Sequence, residues 1–390
     1  METTKYLIIG NGIAGLSAAK EIRNNDSESS IIMISSEPYH TYYRIKLTEY
    51  ISKDFEETEL LVNKDSWYEE RDIKVQLNKI VETIDVEDQK IRLDDGTEIK
   101  YEKLLIATGS RPFIPPIAGK YKKGVLALRT LKDLKYIKNY FNKCNNITVI
   151  GGGLLGLEAA WSLTKLGKNV SIVEFAPYLL PKQLDEELAN KLKDKLVRKG
   201  FNIYLSSAAD EILGKEQVDG ILLNNGQILK SDGVLFSVGI RPNIDLVRDT
   251  PIAFDKGVIV NKYLETNIEN IYAAGDVIEL DGRIIGLWTS ANEQGKIAGA
   301  NMSGKTLEYT EPKLFTSLIL DDIKLFSVGD VKNFDRVYEY MEGDIHHKIF
   351  ANNDRITGGI LFGDIRDMSK LKKAVDERMD MKSYTNLLYK

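Results

Sequence analysis

Residues 5–15 read Lys5-Tyr6-Leu7-Ile8-Ile9-Gly10-Asn11-Gly12-Ile13-Ala14-Gly15, and this stretch decides the fold. A short apolar run of buried-strand character passes into three glycines spaced G-x-G-x-x-G. Leu16 to Ile22 then has helical spacing, and Ile31-Ile32-Met33-Ile34 is a second buried run that ends near Glu37. The same grammar returns about 140 residues later. Ile147-Thr148-Val149-Ile150 leads into Gly151-Gly152-Gly153-Leu154-Leu155-Gly156, a helical stretch over 157–166, the run Val170-Ser171-Ile172-Val173, and then Glu174.

Each copy is a dinucleotide-binding fingerprint in its proper context. The first glycine permits a tight strand-to-helix turn, the second lets the backbone approach a pyrophosphate, and the third lets the helix pack close to the strand. The helix N-terminus then offers unpaired N–H groups and a partial positive charge to the phosphates. The acid closing the second strand accepts hydrogen bonds from a ribose diol. It lies 22 residues after Gly15 in one copy and 18 after Gly156 in the other, near the usual spacing of about 20. Two fingerprints imply two dinucleotides. No Arg or Lys directly follows Glu174, and its carboxylate would repel a 2′-phosphate, so the second site favours NADH over NADPH.

The composition sets limits on other functions. The chain has 390 residues, with 53 basic against 58 acidic side chains and a net charge of −5. That balance argues against a nucleic-acid binder held by a global basic surface. No apolar run reaches the roughly 18–20 residues of a membrane span, and the N-terminus shows no signal-peptide pattern, so the expected location is the cytoplasm. The single cysteine, Cys144, excludes an internal disulfide and a cysteine-rich metal site. Three histidines make a His-based zinc enzyme a poor reading, and no metal is expected. Redox chemistry would have to come from a bound cofactor.

Two further segments carry a resemblance. Leu104-Leu105-Ile106-Ala107-Thr108-Gly109 is a buried strand ending in a small-residue turn, and Ile271-Tyr272-Ala273-Ala274-Gly275-Asp276 is another. They resemble the ATG and GD motifs of the pyridine nucleotide–disulfide oxidoreductase superfamily, and all four motifs stand in the family's order. The resemblance implies an α/β fold with two Rossmann-like dinucleotide-binding domains of the three-layer ββα type plus a small α+β C-terminal domain. The implied FAD-binding domain is discontinuous, 1–115 and 247–312. The NAD-binding domain is inserted at 116–246, and 313–390 form the interface domain, with strands near 314–327 and 355–362 and a charged helix over 369–381. Disulfide reductases of the superfamily carry CxxxxC near the flavin or CxxC in the NAD domain, and its single-cysteine oxidases carry one Cys in the region that here reads Tyr39-His40-Thr41-Tyr42-Tyr43-Arg44-Ile45-Lys46-Leu47-Thr48. With neither pattern present, dithiol chemistry is excluded. The Tyr43-Arg44-x-x-Leu47-Thr48 pattern is similar to that of rubredoxin reductases and of the reductase half of assimilatory nitrite reductases.

The resemblance also implies the site. FAD would be held by Gly10, Gly12, Ala14, Gly15, Glu37, Arg44, Val81, Ala107, Thr108, Gly109, Arg129, Gly275, Asp276 and Trp288. NAD would be held by Gly151, Gly153, Leu154, Leu155, Gly156, Glu158, Glu174 and Gly239. No catalytic acid or base is required for hydride transfer to flavin N5; Glu158 and Lys46 are the candidates nearest that chemistry. The implied activity is an NADH-dependent FAD flavoprotein reductase that delivers electrons to a small electron-transfer protein, rubredoxin first. An acidic partner would meet a basic rim drawn from Arg44, Lys46 and Lys120, Lys122 and Lys123. The alternatives are an NADH oxidase, a quinone or nitrite-reductase-type diaphorase, and a non-enzymatic dinucleotide-bound protein resembling apoptosis-inducing factor. A monomer and a homodimer are both compatible with these readings.

Overall fold

The computed structural model describes residues 1–388. They form two compact units, each assembled from separated stretches of chain.

The first unit comprises Met1–Lys46, Asp54–Pro112 and Gly239–Pro312. Its sheet is built on strand Glu2–Ile9, which pairs in parallel with Ile31–Ile34 on one side and Glu98–Ile106 on the other. Ile73–Gln76 extends the parallel part, and Ile271–Ala273 joins Glu98–Ile106 in parallel. Val81–Asp85 and Lys90–Leu93 add an antiparallel extension. The strand residues Leu7, Ile8, Met33, Leu104, Leu105 and Ile106 are all buried. Such continuous apolar runs suit strands covered on both faces.

Two helices of this unit, Ile13–Asn25 and Trp288–Met302, touch backbone to backbone. A Cβ at Gly295 would lie 2.2 Å from the Ala14 carbonyl oxygen, and one at Gly299 would lie 2.5 Å from that of Ala18. Small residues at this crossing bring the second helix against the turn that opens the first. Side-chain bonds secure it, as Ser17 Oγ donates to Asn292 Oδ1 at 2.7 Å.

The second unit comprises Leu47–Lys53, Phe113–Val238 and Lys313–Lys390. Its inner sheet is wholly parallel, in the order Asn202–Tyr204, Asn169–Val173, Asn146–Ile150, Gly233–Phe236, Val125–Ala127. Helices Leu131–Asn142, Leu154–Lys165 and Glu186–Arg198 accompany it. The first of these opens with a reciprocal cap between Thr130 and Asp133. Three antiparallel strands between Ala209 and Lys230 form a small second sheet.

Residues 315–362 form a five-stranded antiparallel sheet, including strands Arg336–Glu342 and Ile345–Asn352, which sequence patterning had not revealed. The helix expected over 369–381 is two helices, Met368–Asp376 and Met381–Leu388. Arg378 takes a left-handed conformation between them, φ 50°, a region most L residues avoid. Leu371, Ala374, Val375 and Tyr384 pack on Phe326, Val328, Ile349 and Leu361 of the sheet. Ser327 Oγ donates to the Gln183 carbonyl at 2.7 Å, and Lys195 pairs with Asp344. These bonds attach the terminal sheet to the helix Glu186–Arg198 and the turn before it.

Branching a side chain into the backbone contact of the first unit should be costly. Gly295→Val is expected to lower unfolding stability by about 1–3 kcal/mol, the usual cost of overpacking. Urea unfolding followed by circular dichroism checks this, and an unchanged midpoint would contradict it.

Candidate functional site

The two fingerprint turns are built alike. Gly10 has φ 117°, and a Cβ there would lie 2.1 Å from the Ala107 carbonyl oxygen; a Cβ at Gly15 would lie 2.1 Å from the carbonyl oxygen of Gly10. In the second copy Gly151 has φ 115°, and a Cβ there would lie 2.3 Å from the Ser237 carbonyl oxygen; a Cβ at Gly156 would lie 2.0 Å from that of Gly151. Any side chain at these four positions would displace backbone. The middle glycines behave differently. A Cβ at Gly12 or Gly153 would meet nothing within 4 Å. Packing does not demand glycine there, whereas a ligand approaching the main chain would.

Both middle glycines are also helix N-caps. Neither offers a side-chain cap, and neither helix has an acid in its first turn. The first-turn N–H groups therefore lack side-chain acceptors at both turns, which suits a pyrophosphate.

In the first unit the turn is tied to the aromatic loop that follows Glu37. Asn11 Nδ2 donates to the Tyr39 carbonyl at 3.1 Å, and Thr41 Oγ1 donates to Asn11 Oδ1 at 2.6 Å. Tyr42 Oη donates to Glu37 Oε2 at 2.7 Å, and the Arg44 guanidinium reaches both Tyr42 Oη and Glu37. Burial lowers the Arg44 pKa, but its interactions with Tyr42 and the Glu37 carboxylate outweigh that and hold it above its ordinary value. Glu37 and Arg44, the predicted ribose and flavin contacts, are thus neighbours.

Ala107, Thr108 and Gly109 end the strand beside Gly10, and Asn243 clamps them. Asn243 Nδ2 donates to the Thr108 carbonyl, and Thr108 Oγ1 donates to the Asn243 carbonyl, both at 2.9 Å. Asp276 accepts from Ser110 Oγ at 2.9 Å, and a Cβ at Gly275 would lie 3.0 Å from that of Ala14. The two motifs and the first fingerprint therefore converge. Trp288 opens its helix, stacks on Tyr43 with ring centroids 6.0 Å apart, and keeps a buried Nε1 without a hydrogen-bond partner. Lys46 Nζ lies over the other aromatic of this pair, 4.6 Å from the Tyr43 centroid. Val81 begins its strand and packs against the core of the unit. His40 is stacked on Tyr68 at 4.2 Å, and burial lowers its pKa.

In the second unit a cavity of about 510 Å³ opens beside the turn, lined by Gly151, Gly153, Leu154, Glu174, Phe175 and Val238 among others. Glu174 accepts from the Gly152 N–H at 2.6 Å and the Ala176 N–H at 2.7 Å. Its carboxylate is held at the cavity wall. Leu155 is exposed beside it. Glu158 is half-buried and accepts from Thr48 Oγ1 at 2.9 Å. Burial raises its pKa, and the Thr48 bond opposes that rise. Arg129 lies in this unit, while the other predicted FAD residues lie in the first. Gly239 lies in the first unit, while the other predicted NAD residues lie here. Cys144 is buried, its thiol pushed up to about 11, chiefly by desolvation. It is a poor nucleophile there.

Of the expected rim lysines in the second unit, Lys122 is tied to a strand carbonyl, while Lys120 lies over the exposed Tyr121 ring. Lys122 Nζ donates to the Ile212 carbonyl at 2.6 Å, and Lys120 Nζ lies 4.8 Å from the Tyr121 ring centroid. Lys123 is exposed.

Residues 4–295 match the pyridine nucleotide-disulphide oxidoreductase family, and residues 315–379 match the rubredoxin NAD+ reductase C-terminal domain. The chain belongs to the pyridine nucleotide-disulphide oxidoreductase family. It is 36% identical over 393 residues to NADH-rubredoxin oxidoreductase of Clostridium acetobutylicum, covering 99% of this chain and 97% of that one. It is 34% identical over 388 residues to nitrite reductase [NAD(P)H] of Bacillus subtilis, covering 98% of this chain but 48% of that protein. The chain therefore spans about half the length of that relative. The crystal structure of the C. acetobutylicum NADH:rubredoxin oxidoreductase superposes with a TM-score of 0.82 at 33% identity, covering 99% of this chain and 100% of that one. No helix among the described residues is long and apolar enough to cross a membrane.

Within this family frame, Asn11, Tyr42, Ser110 and Asn243 are the residues that the motifs did not single out. Only their polarity beside a motif marks them in the sequence.

The raised Glu158 carboxyl makes a signed prediction. Between the unfolded carboxyl value, about 4.3, and the higher folded value, the native state binds more protons than the unfolded state. Stability from this group therefore falls as pH rises through that window. Glu158→Gln should melt close to the parent at low pH and increasingly above it as pH rises, levelling off beyond the folded value. Paired thermal melts from pH 4 to 8 test this; a constant or reversed difference would contradict it.

Proposed function

We propose that the chain is an NADH-dependent FAD flavoprotein that passes electrons to a small electron-transfer protein, rubredoxin first. The observation that carries this reading is the pair of turns whose first and third glycines are locked by backbone while the middle glycine faces open space. In this reading the first unit holds FAD. Gly10, Gly12, Ala14 and Gly15 cradle the pyrophosphate, Glu37 accepts from the adenosine ribose with Arg44 beside it, and Asp276 meets the ribityl side. The second unit holds NADH against Gly151, Gly153 and Gly156, with Glu174 on the ribose. A bound flavin supplies acceptance of a hydride from NADH and release of electrons to a one-electron carrier.

The protein groups orient and exclude water rather than exchange protons. The start of the Trp288 helix would offer backbone N–H groups and its positive end to a bound flavin, which would favour the reduced, negatively charged form. Trp288 and Tyr43 form an aromatic wall with Lys46 on its outer face. No thiol lies among the described residues besides the buried Cys144, so the acceptor must take electrons from the flavin directly. The names of the C. acetobutylicum relative and of the C-terminal domain support rubredoxin as that acceptor.

Cofactor choice is tested at Glu174. Losing a charged acceptor costs about 1.5–3 kcal/mol, so Glu174→Ala should raise KM for NADH about ten- to a hundredfold, with flavin content retained. Wild-type activity with NADPH equal to that with NADH would overturn the assignment.

The acceptor is tested by anaerobic NADH oxidation with rubredoxin, ferredoxin, cytochrome and quinone in parallel. Rubredoxin should give the highest kcat/KM. Its rate should fall as salt rises, because charge steering is screened within about 8–10 Å. A quinone or oxygen rate above that with rubredoxin would favour a diaphorase or oxidase. Slow flavin bleaching by NADH would favour a binding role.

A further inference from the structure

The terminal sheet carries a polar cluster that electron transfer does not use. Strands Arg336–Glu342 and Ile345–Asn352 pair so that Glu339 is opposite Lys348 and Met341 is opposite His346. Glu339, His346 and Lys348 therefore share one face of the sheet. Glu187 reaches the same place from the first turn of the helix Glu186–Arg198, and Asp185 caps that helix by accepting from the Leu188 N–H.

Lys348 is buried and bonds Asp185 at 2.6 Å, Glu187 Oε2 at 2.5 Å and Glu339 Oε1 at 3.3 Å. One ammonium thus faces three carboxylates, a formal sum of −3 + 1 = −2. His346 is 2% exposed, and its Nε2 has no hydrogen-bond partner. That nitrogen lies 3.9 Å from Glu339 Oε2, the oxygen that Lys348 does not take. Ligand atoms of Glu187, Glu339 and His346 all lie within 4.8 Å of one another. A buried imidazole nitrogen without a partner is costly. The net negative charge beside it attracts a cation, and one divalent cation would answer both features.

We propose that Glu187, Glu339 and His346 form a binding site for a divalent cation of the zinc type. One imidazole nitrogen with two carboxylates is a donor set that suits Zn²⁺. Mg²⁺ and Ca²⁺, which take oxygen ligands, are disfavoured by the imidazole. Lys348 takes one oxygen of each glutamate and leaves the second to the cation. Glu187 and Glu339 have exposed side chains that can close on the metal, and the buried His346 fixes where it sits. The bound ion would fasten the terminal sheet to the start of the helix Glu186–Arg198, a structural role separate from hydride transfer.

The test uses the full-length flavoprotein, treated with EDTA and desalted, then titrated with ZnCl₂ by calorimetry and melted with and without the metal. One Zn²⁺ per chain and a raised melting temperature are expected. His346→Ala and Glu187→Gln should each weaken Zn²⁺ binding at least about tenfold, as loss of a metal-site partner does. NADH-to-ferricyanide turnover should stay at the parent value in both variants, reporting an intact fold. Glu187 is an exposed side chain, so its variant keeps the test valid if His346→Ala folds poorly. Absence of stoichiometric Zn²⁺ binding to the parent, parent-like affinity in Glu187→Gln, or Mg²⁺ binding as tight as Zn²⁺ would overturn the proposal.

Discussion

Just past the carboxyl end of an interior parallel strand in each unit, a glycine α-carbon lies directly against a backbone carbonyl, Gly10 on Ala107 and Gly151 on Ser237. That contact needs a positive φ and no side chain, a combination glycine alone supplies cheaply. It turns the chain sharply from strand to helix. The third glycine, pressed on the carbonyl of the first, sets the helix close to the strand. The helix N–H groups then point at the space over the middle glycine, so the packing constraint and the anion site have one origin. In the first unit the constraint propagates further. Gly295 and Gly299 must stay without side chains for their helix to rest on the backbone of Ala14 and Ala18, and that approach delivers the start of the Trp288 helix to the turn.

Around these rigid turns the polar groups are arranged by tertiary contacts. The Arg44–Glu37–Tyr42 set, the Asn243 clamp on Thr108 and the Asp276–Ser110 bond all join residues from different motifs. Each pair is modest by itself. Together they pre-position carboxylate, guanidinium and amide groups, which lowers the ordering cost when a dinucleotide binds. Glu174 is held similarly by two backbone N–H groups. The terminal sheet shows the opposite balance, an exposed edge strand with several ion pairs onto one helix.

What could be read in the sequence was whatever local spacing encodes. Gly10 to Gly15, Gly151 to Gly156, the acids Glu37 and Glu174 and the buried runs around them depend on neighbours in the chain, and they appear where the spacing puts them. Contacts between distant residues left no such trace. Thr48 and Glu158 meet across 110 positions, and Asn243 reaches back to Thr108 across 135. The strand Arg336–Glu342 was hidden for another reason. Nearly all its residues are exposed, so it lacks the alternation that marks a half-buried strand. The helix break at Arg378 carries no proline or glycine to announce it. Arg129 and Gly239 were assigned by resemblance to one dinucleotide each, and each lies in the compact unit opposite its assigned group.

The two turns are proposed to hold different dinucleotides, and one paired measurement tests that most directly. Bound flavin and its bleaching by NADH are read from visible absorbance in Gly12→Val and Gly153→Val, each purified under the same conditions. Both substitutions fill open space rather than displace backbone, so both proteins should fold. Gly12→Val should be isolated colourless. Gly153→Val should stay yellow and no longer bleach with NADH. Loss of colour in Gly153→Val with retention in Gly12→Val, or unchanged bleaching in Gly153→Val, would contradict the assignment.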